Sequence, residues 1–151
     1  MGRIRRKLGR LWFWLEKLPV SNWEDEKAIR ELLSAYCFCV DRAHADAFVE
    51  LFTEDGVWDR GHFGRVEGRQ ALHDYLSAVA ARPADKAKTR HLSSNELVTI
   101  THDTAAARSY VLVMDAAPTP PVALVIGYYE DQFVKVGGRW RFKSRCLRGS
   151  P

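Results

Sequence analysis

The change from helical to strand-like patterns near residue 88 constrains the fold of this 151-residue chain more than any other feature. Before that point, apolar residues recur at helical intervals, which predicts helices over about residues 22–41, over "ADAFVELF" and over about 69–82. After it, four long runs rich in Val, Ile, Tyr and Trp predict strands, with hairpin turns at residues 102–103 and 137–138. Helices followed by an antiparallel meander indicate an α+β fold: a cone-shaped, curved, antiparallel or mixed sheet around the N-terminal helices, enclosing an apolar pocket.

Three local signals refine the expected helix and strand boundaries. Ser21 and Glu24 have the spacing of a capping box at the start of the first long helix. Asp46 is expected to cap the short second helix. The pair Asp55-Gly56 predicts a turn that leads into a short strand.

The positive charge of the chain lies almost entirely in its first segment. Residues 1–19 have a net charge of +5. Because the net charge of the whole chain is +4, the remaining residues have a net charge of −1. A domain surface without net positive charge argues against nucleic acid as a partner. Residues 1–20 are predicted to form a basic amphipathic helix, too short to span a bilayer. Two interpretations stay open: peripheral membrane contact through residues 1–18, or docking on the domain or on a neighbouring subunit, which the exposed aromatic residues favour.

Residues 21–149 are predicted to form a single domain. Its three cysteines are an odd number without zinc-ligand spacing, so we expect free thiols in the cytoplasm. The strand "VALVIGYY" gives the sheet an apolar outer face, which predicts a homo-oligomer, either a dimer or a trimer. The histidines at 44, 62, 73 and 102 have no metal-ligand spacing, so neither a metal nor another cofactor is expected.

Several strings in the chain resemble a known family. They are "IRELLSAYCFCVDRAHADAFVELFTEDGVWD", "GRVEGRQAL", "TRHLSSN", "ARSYVLV" and "GGRWRFKSR". Together they are similar to the SnoaL-like branch of the nuclear-transport-factor-2-like superfamily, from about Asp25 to Arg148. This branch includes scytalone dehydratase, bile-acid 7α-dehydratase and hexachlorocyclohexane dehydrochlorinase, cone-shaped α+β proteins. The resemblance therefore implies the cone fold and a cofactor-independent reaction on a small molecule.

The resemblance also implies three catalytic residues. In these enzymes a histidine at the start of a strand pairs with an aspartate near the end of the first helix, and His91 and Asp41 occupy those places. Tyr36 matches a tyrosine that lies five residues before that aspartate in the bile-acid enzyme. On an ideal helix, residues 36 and 41 point about 140° apart, so both reach one cavity only if the helix ends or bends near Val40.

Four further residues are expected to contact the substrate. Asp115 is the nearest match to a later acidic residue of the bile-acid enzyme, and Arg145 matches an arginine of the dehydrochlorinase that follows a tryptophan. Phe38 stands where scytalone dehydratase has its aspartate, and Trp58 replaces a hydrogen-bond donor, so the pocket departs from that enzyme. Alternatives remain for Arg145, which could be a cavity cation or the partner of Asp131 or Glu130.

A buried carboxylate orients a neighbouring imidazole and fixes which of its nitrogens carries the proton. The other nitrogen can then remove a proton from carbon, while a phenol donates to a carbonyl or a leaving hydroxyl. The predicted function is a dehydratase-type lyase that acts on an apolar oxygenated small molecule, such as a steroid, polyketide or aromatic-derived alcohol. An isomerase stays open, as does an epoxide hydrolase built on an Asp–Arg–Asp set. A third alternative is a non-catalytic binding or assembly subunit, like the β-subunits of ring-hydroxylating dioxygenases.

Overall fold

A computed structural model of the protein describes residues 22–82 and 88–149. The predicted helix over residues 1–20 and the expected capping residue Ser21 lie outside these ranges. The first described helix, α1, spans Trp23–Asp41 and begins at Asn22, whose side chain accepts the backbone N–H of Glu24 at 3.1 Å. Asn22 is thus the N-cap, one residue later than the capping-box spacing predicted. Three acidic residues in the first turn interact favourably with the positive end of the helix dipole.

Helix α1 ends at Asp41 because the chain turns left-handed two residues later. Ala43 has φ 51°, and the backbone N–H of His44 donates to the carbonyl of Cys39 at 3.0 Å. This bond satisfies one of the carbonyls that a helix end leaves without a partner. Asp41 therefore occupies the final helical position, where its side chain can reach across to the sheet.

Two shorter helices complete the helical layer. Helix α2 spans Ala45–Val49 and helix α3 spans Arg69–Ala80, close to the predicted positions. The residue before α2 is His44, and Asp46 lies inside the first turn, so the prediction that Asp46 caps this helix was wrong. A turn of 3₁₀ helix, Gly61–Phe63, leads toward α3. Among the described residues, none of the helices combines the length and apolar character needed to cross a bilayer.

The sheet has six strands in the order β2-β1-β6-β5-β4-β3. Strand β1 runs parallel to β6, and every other neighbouring pair is antiparallel. The strands are β1 (Phe52–Asp59), β2 (Arg65–Glu67), β3 (Thr89–Thr101), β4 (Thr104–Asp115), β5 (Val122–Val136) and β6 (Arg139–Gly149). The pairings Thr101↔Thr104 and Val136↔Arg139 confirm the two predicted hairpin turns.

The expected turn at Asp55-Gly56 is instead an irregularity within β1. The strand runs continuously from Phe52 to Asp59, and its register against β6 shifts between Phe52 and Val57. Gly56 lies in this shifted stretch, where a Cβ would come within 2.8 Å of the Phe52 Cβ. The glycine thus permits a bulge, which bends the strand without ending it.

The core lies between the helices and the concave face of the sheet. Alternate residues of β4 from Ala105 to Val113 face inward, as do Tyr129, Asp131 and Phe133 of β5. Helix α1 contributes Ile29, Leu33 and Tyr36 to the same core. Register shifts interrupt the β3–β4, β4–β5 and β5–β6 pairings, and such bulges increase strand bending and twist. The result is an α+β fold whose curved sheet wraps around the helices.

Candidate active site

His91 and Asp41 form a hydrogen-bonded pair where the end of α1 meets strand β3. The Nδ1 atom of His91 lies 2.6 Å from Oδ1 of Asp41. The backbone N–H of His91 also donates to both carboxylate oxygens, at 3.0 and 3.2 Å. The side chains are 13% and 10% exposed, so water competes little for these bonds. Because the carboxylate accepts from Nδ1–H, the neutral imidazole has its lone pair on Nε2.

Tyr36 and Trp58 form a second buried pair beside the imidazole. The indole Nε1–H of Trp58 donates to the Tyr36 hydroxyl at 2.9 Å. The Tyr36 ring meets the His91 ring edge-on, with the centroids 6.4 Å apart. Burial, reinforced by the neighbouring Tyr129 phenol and opposed by Arg145, raises the pKa of Tyr36 well above its ordinary value. The phenol therefore keeps its proton, which it directs toward the Tyr129 hydroxyl.

A buried cation lies beneath these tyrosines. Arg145 is fully buried, and its Cζ lies 4.0 Å from the ring centroid of Tyr36 and 3.6 Å from that of Tyr129. Its Nη1 donates to Oδ2 of Asp131 at 3.2 Å, and Asp131 is also fully buried. Burial raises the pKa of Asp131 to about 6, against the opposing effect of Arg145. Of the two alternatives for Arg145, the pairing with Asp131 is observed, on the inner face of the sheet.

His91, Tyr36, Trp58 and Tyr129 border a cavity of about 470 Å³ inside the cone, whereas Asp41, Arg145 and Asp131 lie behind its wall. Its wall is mostly apolar and aromatic, with one histidine, two arginines and several hydroxyl groups as polar members. The lining residues are Tyr36, Val40, Trp58, Arg60, Phe63, Tyr75, Leu76, Val79, Arg82, Thr89, His91, Val113, Leu124, Val125, Tyr129 and Leu147. This composition suits an apolar molecule that carries a few oxygen atoms.

Helix α1 delivers both Tyr36 and Asp41 to this region because it ends at Asp41. Tyr36 points into the core and lines the cavity, whereas Asp41 reaches His91 from the last turn. The geometric condition that the 140° separation imposes on an ideal helix is thereby met. His91, Tyr36 and Trp58 share the cavity wall, and Asp41 contacts it through His91.

Of the four expected substrate contacts, only Trp58 is among the described residues that line this cavity; Arg145, Asp115 and Phe38 are not. Oδ1 of Asp115 accepts the backbone N–H groups of Lys88 and Ala117, at 3.2 and 2.9 Å, and Asp115 does not line the cavity. Phe38 is 62% exposed and borders a second hollow, between α1 and β3, which Asp41 and His91 also line. Helical spacing explains the exposure of Phe38, because this residue lies on the face opposite to the buried residues of α1.

The Asp–Arg–Asp set of an epoxide hydrolase is not assembled from Asp41, Arg145 and Asp115. Asp41 is bound to His91, Arg145 is bound to Asp131, and Asp115 caps backbone groups. Within residues 22–82 and 88–149, no three His, Cys, Asp or Glu side chains are grouped so as to hold a metal ion.

Among the cavity residues that the sequence analysis did not predict are Arg60, Tyr75 and Tyr129. Tyr75 lies between the buried residues Leu72 and Leu76 of α3, so helical periodicity could have placed it near the core. Tyr129 alternates with other inward residues of β5, so strand periodicity could have found it. Arg60 directly follows β1 in an irregular segment, and no periodic signal indicates its direction.

Comparisons with known proteins agree with this architecture. A family model described as a SnoaL-like domain matches residues 21–146. No curated protein matches the sequence. A protein of unknown function from Mycobacterium tuberculosis is 30% identical, with a TM-score of 0.75 over 84% of this chain and 77% of that one.

Two structures from Novosphingobium aromaticivorans are also similar. One, named "Putative Scytalone Dehydratase", is 28% identical with a TM-score of 0.71, over 84% of this chain and 85% of that one. The other, an NTF2-like protein with a cystatin-like fold, is 24% identical with a TM-score of 0.72, over 97% of this chain and 90% of that one. The chain belongs to the SnoaL-like domain family.

Proposed function

We propose that the protein is a cofactor-independent lyase that eliminates water from an apolar oxygenated small molecule, such as a steroid, polyketide or aromatic-derived alcohol. The observation that carries this proposal is the position of His91. Its ring borders an apolar cavity, while Asp41 holds Nδ1 and leaves Nε2 as the basic nitrogen. Among the described residues, no group bonds to Nε2, so this atom is available to a substrate. General-base catalysis of this kind contributes roughly 10²–10⁴-fold to the rate.

In the proposed reaction, His91 Nε2 removes a proton from the carbon next to a carbonyl group. The electrons of the broken C–H bond form a carbon–carbon double bond as the C–O bond to the neighbouring hydroxyl group breaks. The imidazolium then returns the proton to the departing oxygen, and water leaves. Asp41 stabilises the imidazolium that forms between these two proton transfers, at a contact of 2.6 Å.

Tyr36 is assigned the role of carbonyl clamp. Trp58 donates to its oxygen, and the phenolic O–H turns from the Tyr129 hydroxyl to the substrate carbonyl as negative charge develops there. The raised pKa of Tyr36 makes it a poor proton donor for complete transfer to a leaving group. The Arg145 cation beneath the Tyr36 ring adds favourable charge near the developing enolate.

An isomerase would use the same base, since both reactions begin with removal of a proton from carbon. Mass spectrometry in heavy water distinguishes the two reactions. Elimination removes a water molecule from the substrate, whereas isomerisation keeps all of its heavy atoms and adds about one mass unit for each deuterium incorporated.

The test is a panel of hydroxylated ketones of steroid, polyketide and aromatic type, incubated with the purified full-length chain in heavy water and followed by mass spectrometry. We expect loss of water from at least one class, and a fall of roughly 10²–10⁴-fold in kcat/KM for His91→Gln. His73→Gln is the matched control, because His73 pairs with Asp46 at 3.1 Å outside the cavity. Absence of elimination across the panel, or full activity in His91→Gln, would reject the proposal.

A further inference from the structure

The ionisable side chains of arginine and histidine in the cavity wall carry positive charge when protonated. Two arginines and one histidine line the cavity, and none of its lining residues within the described part of the chain is an aspartate or glutamate. Arg82 lies exposed at the rim, whereas Arg60 is partly buried in the wall. A cavity of this kind offers an apolar molecule one region where negative charge is stabilised.

Arg60 is held in place by aromatic side chains. Its Cζ lies 4.1 Å from the ring centroid of Tyr75 and 5.1 Å from that of Trp58. Its Nη1 donates to the Tyr75 hydroxyl, and its Nε is shielded from solvent without a hydrogen-bond partner. Contacts with two rings and a phenol fix the plane of the guanidinium, so little conformational freedom remains to be lost on binding.

Two arginines close to Arg60 do have a counter-charge. Arg65 pairs with Glu67 at 2.8 Å, and Arg148 pairs with Asp59 at 3.1 Å. Asp59 directly precedes Arg60 in the chain, yet its carboxylate is bound to Arg148 and to the backbone N–H of Gly61. In the described part of the chain, Arg60 has no carboxylate partner.

We infer that Arg60 binds the carboxylate of the substrate, so that the natural substrate is an apolar hydroxy acid. A guanidinium accommodates a carboxylate through parallel N–H···O bonds, and burial against aromatic rings strengthens that interaction. Trp58 contacts Arg60 on one hand and Tyr36 on the other, which places the anion site and the proposed reaction centre along the same wall. This inference rests on the proposed function for the reacting end of the substrate only.

The experiment compares two probes of the same shape, 2-naphthoate and 2-naphthamide, by isothermal titration calorimetry on the full-length chain. The wild type is expected to bind naphthoate at least tenfold more tightly, a preference that weakens as salt is added. Arg60→Gln is expected to abolish the preference, and Arg60→Lys to retain part of it, since lysine keeps the charge but not the planar fork. Arg65→Gln, an exposed arginine near the same sheet edge, is the matched control and should leave the preference unchanged.

Equal affinities for the two probes in the wild type would overturn the inference without any variant having to fold. A preference for naphthoate that survives in a folded Arg60→Gln variant would overturn it as well. The outcome is separable from the proposed function, because His91→Gln should lose elimination yet keep the naphthoate preference. A protein that prefers naphthoate through Arg60 but eliminates water from no substrate would retain the anion site and lose the lyase proposal.

Discussion

The Asp41 carboxylate has a double function at the level of single residues. It accepts the Nδ1–H of His91 and also the backbone N–H of the same residue. The second His–Asp pair in the described chain differs: Asp46 is fully exposed, and His73 is 37% exposed. Exposed ion pairs contribute little to stability and are screened by salt, whereas the partly buried pair has a defined geometry. The exposed pair can therefore serve as a control for substitutions in the buried pair.

Asp41→Asn is expected to lower kcat/KM by roughly 10²-fold or more, because an amide stabilises the imidazolium far less than a carboxylate does. The ¹⁵N shifts of His91 give a readout that needs no substrate. In the wild type the neutral ring should carry its proton on Nδ1, and in the variant the two tautomers should mix.

Asp46→Asn is the matched control and should change neither the rate nor the His91 ring shifts. If Asp41→Asn left the tautomer of His91 unaltered, the pair would have no role in orienting the base.

At the residue scale, a contact could be predicted where a resemblance or a periodic pattern indicates the position of a side chain, and not where neither does. The resemblance to the SnoaL-like proteins, carried by strings such as "TRHLSSN", indicated that His91 and Asp41 pair, and the two side chains are in contact. Asp115 was expected to contact the substrate as the nearest match to an acidic residue of the bile-acid enzyme, but it ends β4, where its carboxylate binds backbone N–H groups. The position of Arg60 in the cavity wall could not be predicted, because the irregular segment after β1 has no periodic pattern of apolar residues.

At the level of secondary-structure elements, the close pairing of β5 and β6 depends on Gly127. This glycine lies opposite Gly149, and a Cβ at position 127 would overlap the backbone carbonyl oxygen of Arg148. A Cβ at position 149, by contrast, would meet no atom within 4 Å. The two glycines are thus opposite each other in register but differ in the space around them.

Gly127→Ala should lower the free energy of unfolding by about 1–3 kcal/mol, because the methyl group must displace backbone. Urea denaturation followed by tryptophan fluorescence measures the change. Gly149→Ala should stay within about 0.5 kcal/mol of the wild type. Similar values for the two variants would mean that the β5–β6 spacing relaxes freely.

Helix bounds were easier to predict than the course of β1. Apolar periodicity located α1 and α3 to within two residues, since each has a continuous buried face. The pair Asp55-Gly56 also occurs in turns, and nothing local distinguishes a turn from a bulge. Pairing of β1 with β6, nearly ninety residues away in sequence, keeps the strand continuous. Tertiary contacts therefore override a local turn signal here.

At the scale of the whole molecule, the buried Arg145–Asp131 pair links stability to pH. The folded-state pKa of Asp131, about 6, lies above its ordinary value of 3.8 because burial penalises the carboxylate. Between these values the folded state binds more protons than the unfolded state. The contribution of Asp131 to stability is therefore fully present below pH 4 and is lost as the pH rises through 6.

Comparison with Asp131→Asn isolates this effect from that of other titrating groups. Relative to the variant, the wild type should lose roughly 2 kcal/mol of unfolding free energy between pH 4 and pH 7. Urea denaturation at closely spaced pH values measures the difference. A difference that is constant with pH would show that Arg145 keeps Asp131 ionised throughout.

The outer face of the sheet gives a prediction about assembly. Leu97, Tyr110 and Ile126 are exposed by 61%, 63% and 64%, and all three lie on the face away from the cavity. Burial of such a face drives association, so we expect a dimer or trimer in sedimentation velocity. Ile126→Lys should shift the protein toward monomer, whereas Trp23→Lys, at an exposed position on α1, should not. A monomeric wild type at micromolar concentration would contradict this expectation.

The bond between Asp41 and the main chain of residue 91 forms whatever side chain stands at position 91. Replacement of His91 therefore removes the proposed base but keeps the hydrogen bonds that join the end of α1 to β3. Replacement of Asp41 weakens both at once. We therefore expect the fold to tolerate substitutions of His91 better than substitutions of Asp41. Position 91 can change its side chain, and with it the chemistry of the site, while the fold selects for the aspartate at position 41. In descendants of such a cone, a conserved aspartate without its histidine would mark a lost or altered activity on an intact scaffold.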